Sequence, residues 1–88
     1  MPERSVRIVN EAGIHARPAA EIVKSAARFS SEITIVKDGL DVNAKSIMGV
    51  MMLAAECGST VMLKAEGDDA QAAVDAIADV IANGFGEP

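Results

Sequence analysis

The segment GIHARPAA holds the only histidine of the chain, His15. A proline and a helical apolar spacing follow it, and together they predict a helix that begins near Ala16, with His15 at or beside its N-cap. The first N–H groups of a helix have no intrahelical partner and favour anions. Arg17 adds a planar cation suited to phosphate, and Gly13 leaves the imidazole uncrowded. Because neutral imidazole is a nucleophile near pH 7, this segment could accept and hold a phosphoryl group.

On spacing alone, two other interpretations of His15 stay open. A histidine beside an N-cap is commonly an ordinary loop residue. A metal site is weaker, because the chain has one histidine and one cysteine, Cys57, with no second ligand near either. Neither a glycine-rich phosphate loop nor a Ser-His-Asp order is present.

The segment KSIMGVM is the second candidate, with Ser46 as N-cap of a helix that ends at Gly58. The buried stripe of this helix is predicted to be Val50, Leu53, Ala54 and Cys57. The remaining circumference carries a further apolar set, here called the methionine patch: Ile47, Met48, Met51 and Met52. A short chain has little core in which to bury a helix that is apolar all round, and exposed methionines are typical of docking surfaces. We therefore favour a docking patch over an all-core helix.

Two kinds of charge could act near these segments. A phosphate on Ser46 would be stabilised at the N-cap, and it would place nearly two negative charges beside the methionine patch. Basic side chains around His15 would steer an acidic partner, although such residues are usually only solvated. The candidates for this role are Arg17, Lys24, Arg28 and Lys45.

The other elements complete a β-α-β-β-α-β-α order. SVRIVN, residues 5–10, and STVMLKAE read as strands, and Asp38-Gly39 predicts a tight hairpin turn between two more. The last helix should be capped by Asp68 or Asp69 and should end at Asn83-Gly84. Its buried stripe is predicted to be Ala70, Ala73, Val74, Ile77 and Ile81. Antiparallel hairpins with helices on one face make an α+β open-faced sandwich, and we expect residues 1–88 to form a single domain.

Composition excludes several functions. The net charge of −5 and the two aromatic residues argue against a nucleic-acid partner. No segment has the apolar length of a membrane span or the pattern of a signal peptide, so we expect a cytoplasmic protein with no membrane insertion. A single cysteine forms no internal disulfide and fits a reduced compartment. An 88-residue chain has no room for a deep cleft, which favours surface chemistry or binding.

Taken together, these motifs resemble the HPr family, the histidine-containing phosphocarriers of the bacterial phosphoenolpyruvate-dependent sugar phosphotransferase system. GIHARPAA resembles the active-site segment of that family, KSIMGVM its regulatory serine segment, and the terminal FGE its ending. The resemblance covers essentially the whole chain, and the element order agrees. GIHARPAA and KSIMGVM are each fairly specific for this family, and the presence of both at this separation is strongly specific.

The resemblance implies a four-stranded antiparallel sheet with three helices on one side. It also implies that His15 receives a phosphoryl group on Nδ1 from phosphorylated enzyme I and passes it to a histidine of a sugar-specific EIIA domain. Arg17 and the backbone amides of Ala16 and Arg17 would hold the phosphoryl oxygens. Such a carrier is a substrate of enzyme I rather than an enzyme, and no cofactor or metal is expected. The surface shared by both partners would comprise Ala20, Lys24, Ile47, Met48, Met51 and Met52.

The resemblance further implies regulation at Ser46. In relatives with this motif, an ATP-dependent HPr kinase/phosphorylase modifies the serine, and in some bacteria the product binds the repressor CcpA. Some relatives carry more basic residues where this chain has Ala27 and Gly49, which could change partner affinity.

Two alternatives to the sugar-transport carrier remain. One is a regulatory HPr-like paralogue that acts by phosphorylation-dependent protein binding without sugar transport. The other is a small domain with a structural His15, whose methionine patch mediates oligomerisation. The carrier is expected to be monomeric.

Overall fold

A computed structural model describes all 88 residues and has the predicted element order. The strands are β1 (Glu3–Arg7), β2 (Glu32–Lys37), β3 (Leu40–Asn43) and β4 (Thr60–Glu66). The helices are α1 (Ala16–Ala26), α2 (Ile47–Met52) and α3 (Ala70–Ala82), followed by a 3-10 turn at Gly84–Gly86. No helix combines the length and the apolar character that crossing a membrane requires.

The strands form one antiparallel sheet in the order β1-β4-β2-β3. Side chains alternate along them, because successive residues of a strand point to opposite faces. Ile33, Ile35 and Leu63 are buried on the inner face, whereas Thr34 and Lys64 are partly exposed on the outer one. The three helices cover the inner face, α3 against β1, β4 and β2, and α2 against β3. The predicted open-faced sandwich is confirmed.

Helix α1 positions the first candidate segment. Its apolar stripe is buried at Ala19, Ile22 and Ala26, and Val23 is partly buried against the same core. The N-cap residue is His15, as predicted, with extended backbone. Burial of the stripe against α3 and α2 therefore fixes the helix whose first turn follows the histidine.

Helix α3 begins after Asp69, which is its N-cap residue as predicted, and buries the predicted stripe, but the Asp69 side chain makes no capping bond. The Asp69 carboxylate does not bond to its own helix. It accepts hydrogen bonds from the backbone N–H of Ser30 (2.9 Å), from that of Ser31 (3.0 Å) and from the Ser31 hydroxyl. These bonds, that of the Ser31 hydroxyl foremost, lower the pKa of Asp69 from 3.8 to about 2. Asn83 and Gly84 end the helix as expected, with Gly84 at φ +64°.

Helix α2 is shorter than predicted. It ends at Met52, because Ala54 adopts φ +48° and the chain then turns toward the loop before His15. There, Ala55 accepts a hydrogen bond from Ile14 N–H at 2.8 Å, and Gly58 donates one to Ile8 at 2.8 Å. Ala55 is consequently buried, and Ala54 and Cys57 are exposed rather than part of a buried stripe.

The first strand also differs from the sequence prediction. Pairing of β1 with β4 covers residues 3–7 and ends at Arg7 opposite Thr60, so the strand does not reach residue 10. Ile8 is buried in the core, and Asn10 is buried in the loop that leads to His15. A polar Asn10 inside this loop is the first sign that its backbone is held by side chains.

Candidate functional site

His15 lies at the start of α1 on open surface. Its side chain is 45% exposed, and it makes no capping bond to the helix. The backbone N–H groups of Ala16 and Arg17 have no hydrogen-bond acceptor, while the His15 carbonyl accepts from Ala19 N–H. The largest surface concavity, 430 Å³, lies elsewhere, along residues 30–34 and 41–45. The site is thus a surface helix terminus, not a pocket.

Glu87, far from His15 in the sequence, completes the site. Its Oε1 lies 2.9 Å from His15 Nε2, and its Oε2 accepts from Arg17 Nε at 3.1 Å and Arg17 Nη2 at 2.5 Å. The same Nη2 donates to the Phe85 carbonyl at 2.8 Å. Phe85 has φ +58°, between two glycines that also have positive φ, and this reverses the chain toward α1. Sequence reasoning gave Glu87 no role. The only available signal was the terminal FGE quoted for the family resemblance.

The contact with Glu87 determines which imidazole nitrogen is free. The Arg17 guanidinium, and after it the bonds from His15 and Asn10, lower the pKa of Glu87 from 4.5 to about 2, so the carboxylate is ionised at neutral pH. An ionised carboxylate only accepts hydrogen bonds, and therefore His15 Nε2 must carry the proton. In the neutral ring, the lone pair then lies on Nδ1, which has no hydrogen-bond partner in the protein.

The loop before His15 is held by two close contacts. Gly13 has φ +68°, and a Cβ built there would lie 2.6 Å from the Ala55 carbonyl oxygen. The next residue, Ile14, donates to that same carbonyl. Asn10 Nδ2 donates to the Gly13 carbonyl at 2.7 Å and to Glu87 Oε1 at 2.9 Å. Glycine at position 13 is thus required by close backbone approach as well as by φ.

The unpartnered donors at the site converge on the start of α1. They are the N–H groups of Ala16 and Arg17 and the Nη1 group of Arg17, which makes no hydrogen bond. Helix N-terminal amides and a guanidinium are the groups that bind phosphate oxygens in proteins. By contrast, no group of three His, Cys, Asp or Glu side chains is arranged to hold a metal ion.

The methionine patch is exposed. Met48 and Met52 are 76% and 65% accessible, and Ile47 and Met51 are also exposed. Val50, on the opposite side of α2, is fully buried. This side chain anchors α2 to the core, so the helix does not need to bury the patch. The alternative that α2 is entirely core is therefore wrong. Ala20 and Lys24, predicted to extend this surface, are exposed on α1, which packs against α2.

Ser46 is the N-cap of α2, as predicted. Its Oγ accepts from Gly49 N–H at 3.1 Å, and its carbonyl accepts from Val50 N–H at 2.9 Å. The hydroxyl is partly exposed, since Ser46 lies at the border between the core and the patch.

Of the four basic residues considered for steering, two are engaged in the protein. Arg17 is paired with Glu87, and Lys45 donates to the Phe29 carbonyl at 2.7 Å. Lys24, on α1, and Arg28, in the turn after it, are exposed and form no salt bridge. Of these four residues, the two whose charge is available to a partner thus lie in the last turns of α1 and directly after it.

Comparison with known proteins agrees with this architecture. The model of the PTS-HPr family, described as the PTS HPr component phosphorylation site, matches residues 2–83. The phosphocarrier protein HPr of Treponema pallidum is 54% identical, over 99% of this chain and 99% of its own. The HPr-like protein Crh of Halalkalibacterium halodurans is 53% identical, over 88% of this chain and 92% of its own.

HPr of Thermoanaerobacter tengcongensis provides solved structures. Its HPr-C-His crystal structure is 50% identical in sequence and superposes with a TM-score of 0.95, covering 100% of this chain and 99% of that chain. A crystal structure of the HPr dimer from the same organism superposes with a TM-score of 0.79 over 99% of this chain and 100% of that chain. With a family match over nearly all its length and relatives above 50% identity, the chain belongs to the PTS HPr family of phosphocarrier proteins.

Proposed function

We propose that this chain carries a phosphoryl group on His15 Nδ1, which it receives from phosphorylated enzyme I and delivers to sugar-specific EIIA domains. The observation that carries this proposal is the bond between Glu87 and His15 Nε2, because it leaves the Nδ1 lone pair free on an exposed helix N-terminus. A cytoplasmic location, a role in sugar transport and a monomeric state belong to the same proposal.

The transfer needs no general base. The Nδ1 lone pair attacks the phosphorus of the phosphoryl group on enzyme I and a P–N bond forms at Nδ1. The bond between phosphorus and its donor atom on enzyme I breaks, and its electron pair leaves with that donor atom. The His15 ring still carries its Nε2 proton and becomes cationic. Glu87 Oε1, 2.9 Å from Nε2, balances that charge. Delivery to the acceptor histidine is the same step in reverse, and the ring returns to neutral.

Arg17 and Ala16 hold the phosphoryl oxygens in this proposal. The two amides at the start of α1 and the Arg17 Nη1 group are free to donate to them. Arg17 Nη2 and Nε stay on Glu87 and Phe85, which fixes the guanidinium without using all its donors. Positioning of this kind, with charge stabilisation, supplies most of the catalysis in phosphoryl transfer.

The methionine patch, with Ala20 and Lys24, is the proposed docking surface for both enzyme I and the EIIA domains. One surface used for donor and acceptor requires short-lived complexes, which suits a small apolar patch beside a few cations. Lys24 and Arg28 would attract an acidic partner surface.

Ser46 is the proposed regulatory position, phosphorylated by an ATP-dependent HPr kinase/phosphorylase. A phosphate there would remain compatible with the N-cap, because the amides of α2 point toward it. It would also put dianionic charge beside the methionine patch and oppose docking of enzyme I. A phosphoserine-dependent contact with the repressor CcpA, and with it carbon catabolite repression, would follow the same logic.

The similarity to the HPr-like protein Crh favours a second candidate, a regulatory HPr-like protein that acts by phosphorylation-dependent protein binding through Ser46 without sugar transport. His15 and its free Nδ1 argue against it. The two candidates differ in whether enzyme I phosphorylates the chain at all.

Intact-mass spectrometry tests the proposal. Incubation with a bacterial enzyme I and phosphoenolpyruvate should add one phosphate that is lost in acid. His15→Ala should take up none, whereas Ser46→Ala should match the wild type. An unphosphorylated wild type would favour the regulatory candidate, and a labelled His15→Ala would move the acceptor to another residue.

A further inference from the structure

Asn10 is a buried polar side chain that the phosphoryl chemistry does not use. It is 1% exposed and lies in the loop between β1 and α1. Its Nδ2 donates twice, to the Gly13 carbonyl at 2.7 Å and to Glu87 Oε1 at 2.9 Å. Its Oδ1 is buried and has no hydrogen-bond partner in the protein. Leaving a buried acceptor unpaired costs stability, so this arrangement needs an explanation.

The orientation of the amide supplies part of that explanation. Both Nδ2 contacts are acceptors, one a carbonyl and one an ionised carboxylate. Reversing the amide would place Oδ1 against these two oxygens, which is repulsive. The orientation with an orphaned Oδ1 is therefore the favourable one, and in it the side chain acts as a double donor.

The second part of the explanation is that different side chains bind the two carboxylate oxygens of Glu87. Arg17 bonds only to Oε2, so the guanidinium alone leaves the carboxylate able to rotate about that end. Oε1 is shared by Asn10 Nδ2 and His15 Nε2, both at 2.9 Å. Asn10 is the only other side chain that holds the oxygen facing the imidazole.

We propose that Asn10 is a positioning residue, which holds Glu87 Oε1 against His15 Nε2 and so keeps the proton on Nε2 and the lone pair on Nδ1. The use of this lone pair rests on the proposed phosphocarrier function. The positioning itself does not, because it concerns the resting protein. It also links the loop on one side of His15 to the segment that carries Glu87.

The test measures exchange of the Nε2 proton with solvent by ¹H–¹⁵N NMR, in the unphosphorylated protein and without enzyme I. Loss of one positioning hydrogen bond in Asn10→Ala should accelerate exchange about fivefold. Asn10→Asp, which has nearly the same shape but presents a carboxylate to Glu87, should accelerate it at least as much. In a Glu87→Gln background, Asn10→Ala should change the exchange rate no further.

Equal exchange in the wild type and Asn10→Asp, with both folded, would overturn the proposal. So would a fivefold change by Asn10→Ala that persists in the Glu87→Gln background, since a merely structural role predicts that result. If Asn10→Ala does not fold, the wild type still provides a test: both Asn10 side-chain N–H protons should be protected, and Glu87→Ala should release one of them. Two exposed protons in the wild type would contradict the assignment.

The transfer rate is the second readout. The second-order rate constant for phosphorylation by enzyme I should fall about fivefold in Asn10→Ala, in step with the exchange rate. If the wild type takes no phosphate but Asn10→Ala still alters exchange, the phosphocarrier proposal fails and the positioning of Glu87 stands. If transfer is normal and exchange unaltered in every Asn10 variant, only the positioning role fails.

Discussion

The His15 site and the methionine patch are constructed in opposite ways. Around His15, side chains distant in the sequence converge through hydrogen bonds, and Glu87 alone accepts from three of them: His15, Arg17 and Asn10. The patch on α2 is exposed apolar surface whose only internal support is the buried opposite side of a six-residue helix. The difference fits the proposed roles, because a reacting group needs a fixed geometry and proton, whereas a surface for several partners needs adaptable side chains.

The largest expected effect comes from a substitution at Gly13, in the hydrogen-bonded loop that leads to His15. Gly13→Ala should destabilise the protein by about 3 kcal/mol, since a Cβ at φ +68° would lie 2.6 Å from the Ala55 carbonyl oxygen. Gly39→Ala is the matched control, with φ +82° and nothing within 4 Å, and it should cost only about 1 kcal/mol. Urea unfolding measures both. Equal losses would mean that the backbone contact contributes nothing.

A smaller effect is expected from truncating the patch. The double variant Met48→Ala/Met52→Ala should raise the KM for phosphorylation by enzyme I about tenfold, as removal of interface anchors does. Its free energy of unfolding should stay within about 0.5 kcal/mol of the wild type, because both side chains are mostly exposed. Leu40→Ala, at another exposed apolar side chain, 40% accessible on β3, should leave the KM unchanged. A normal KM in the double variant would show that enzyme I docks elsewhere.

A negative charge at Ser46, beside the methionine patch, tests whether electrostatic repulsion there slows phosphoryl transfer to His15. Ser46→Asp should slow transfer from enzyme I several-fold at low salt, with less slowing at high salt, since screening weakens repulsion between exposed charges. Stability should change little, because aspartate is also a good N-cap. Ser46→Asn keeps the cap without the charge and should transfer at the wild-type rate. Equal slowing in both variants would assign the effect to shape.

The smallest expected effect is a change in how steeply stability falls with pH in acid. The pKa values of Glu87 and Asp69 are both lowered to about 2 by folding, from 4.5 and 3.8. The stability they contribute is complete above about pH 5 and is lost as the pH falls through the folded values, because the unfolded state binds protons first. Urea midpoints measured from pH 5 to pH 2 should fall less steeply in Glu87→Gln and in Asp69→Asn. Parallel curves would show that neither carboxylate gains from its partners.

Local sequence patterns predicted most of the helices and strands but few of the hydrogen bonds between distant segments. Apolar spacing placed α1, and Ser46 and Asn83-Gly84 marked helix ends correctly, because caps and stripes are short-range features. The same reasoning made α2 too long, since the left-handed turn at Ala54 leads directly into a hydrogen bond between Ala55 and Ile14 that no local pattern records. Asp69 was correctly predicted as the N-cap residue of α3, but its carboxylate binds Ser30 and Ser31 instead of the helix.

In the candidate site, too, the features set by local sequence were predicted and those set by the tertiary fold were missed. The position of His15 and the exposure of the methionine patch followed from helix periodicity and from the limited core of a short chain. Glu87 and Asn10 were missed as partners, because they are separated by 77 residues and meet only when the 3-10 turn after α3 brings the chain back. Their pairing depends on the tertiary fold, and a sequence pattern reports only neighbours along the chain.

The bond from Ile14 N–H to the Ala55 carbonyl has a consequence for the rate of transfer. It ties the residue before His15 to the segment directly after α2, so the imidazole and the methionine patch keep a constant offset. A partner docked on the patch, as proposed, would meet Nδ1 in one alignment and would need no search over orientations. In the proposed transfer, the scaffold would thereby raise the effective molarity of the imidazole at the donor phosphorus, and weak binding could coexist with fast transfer.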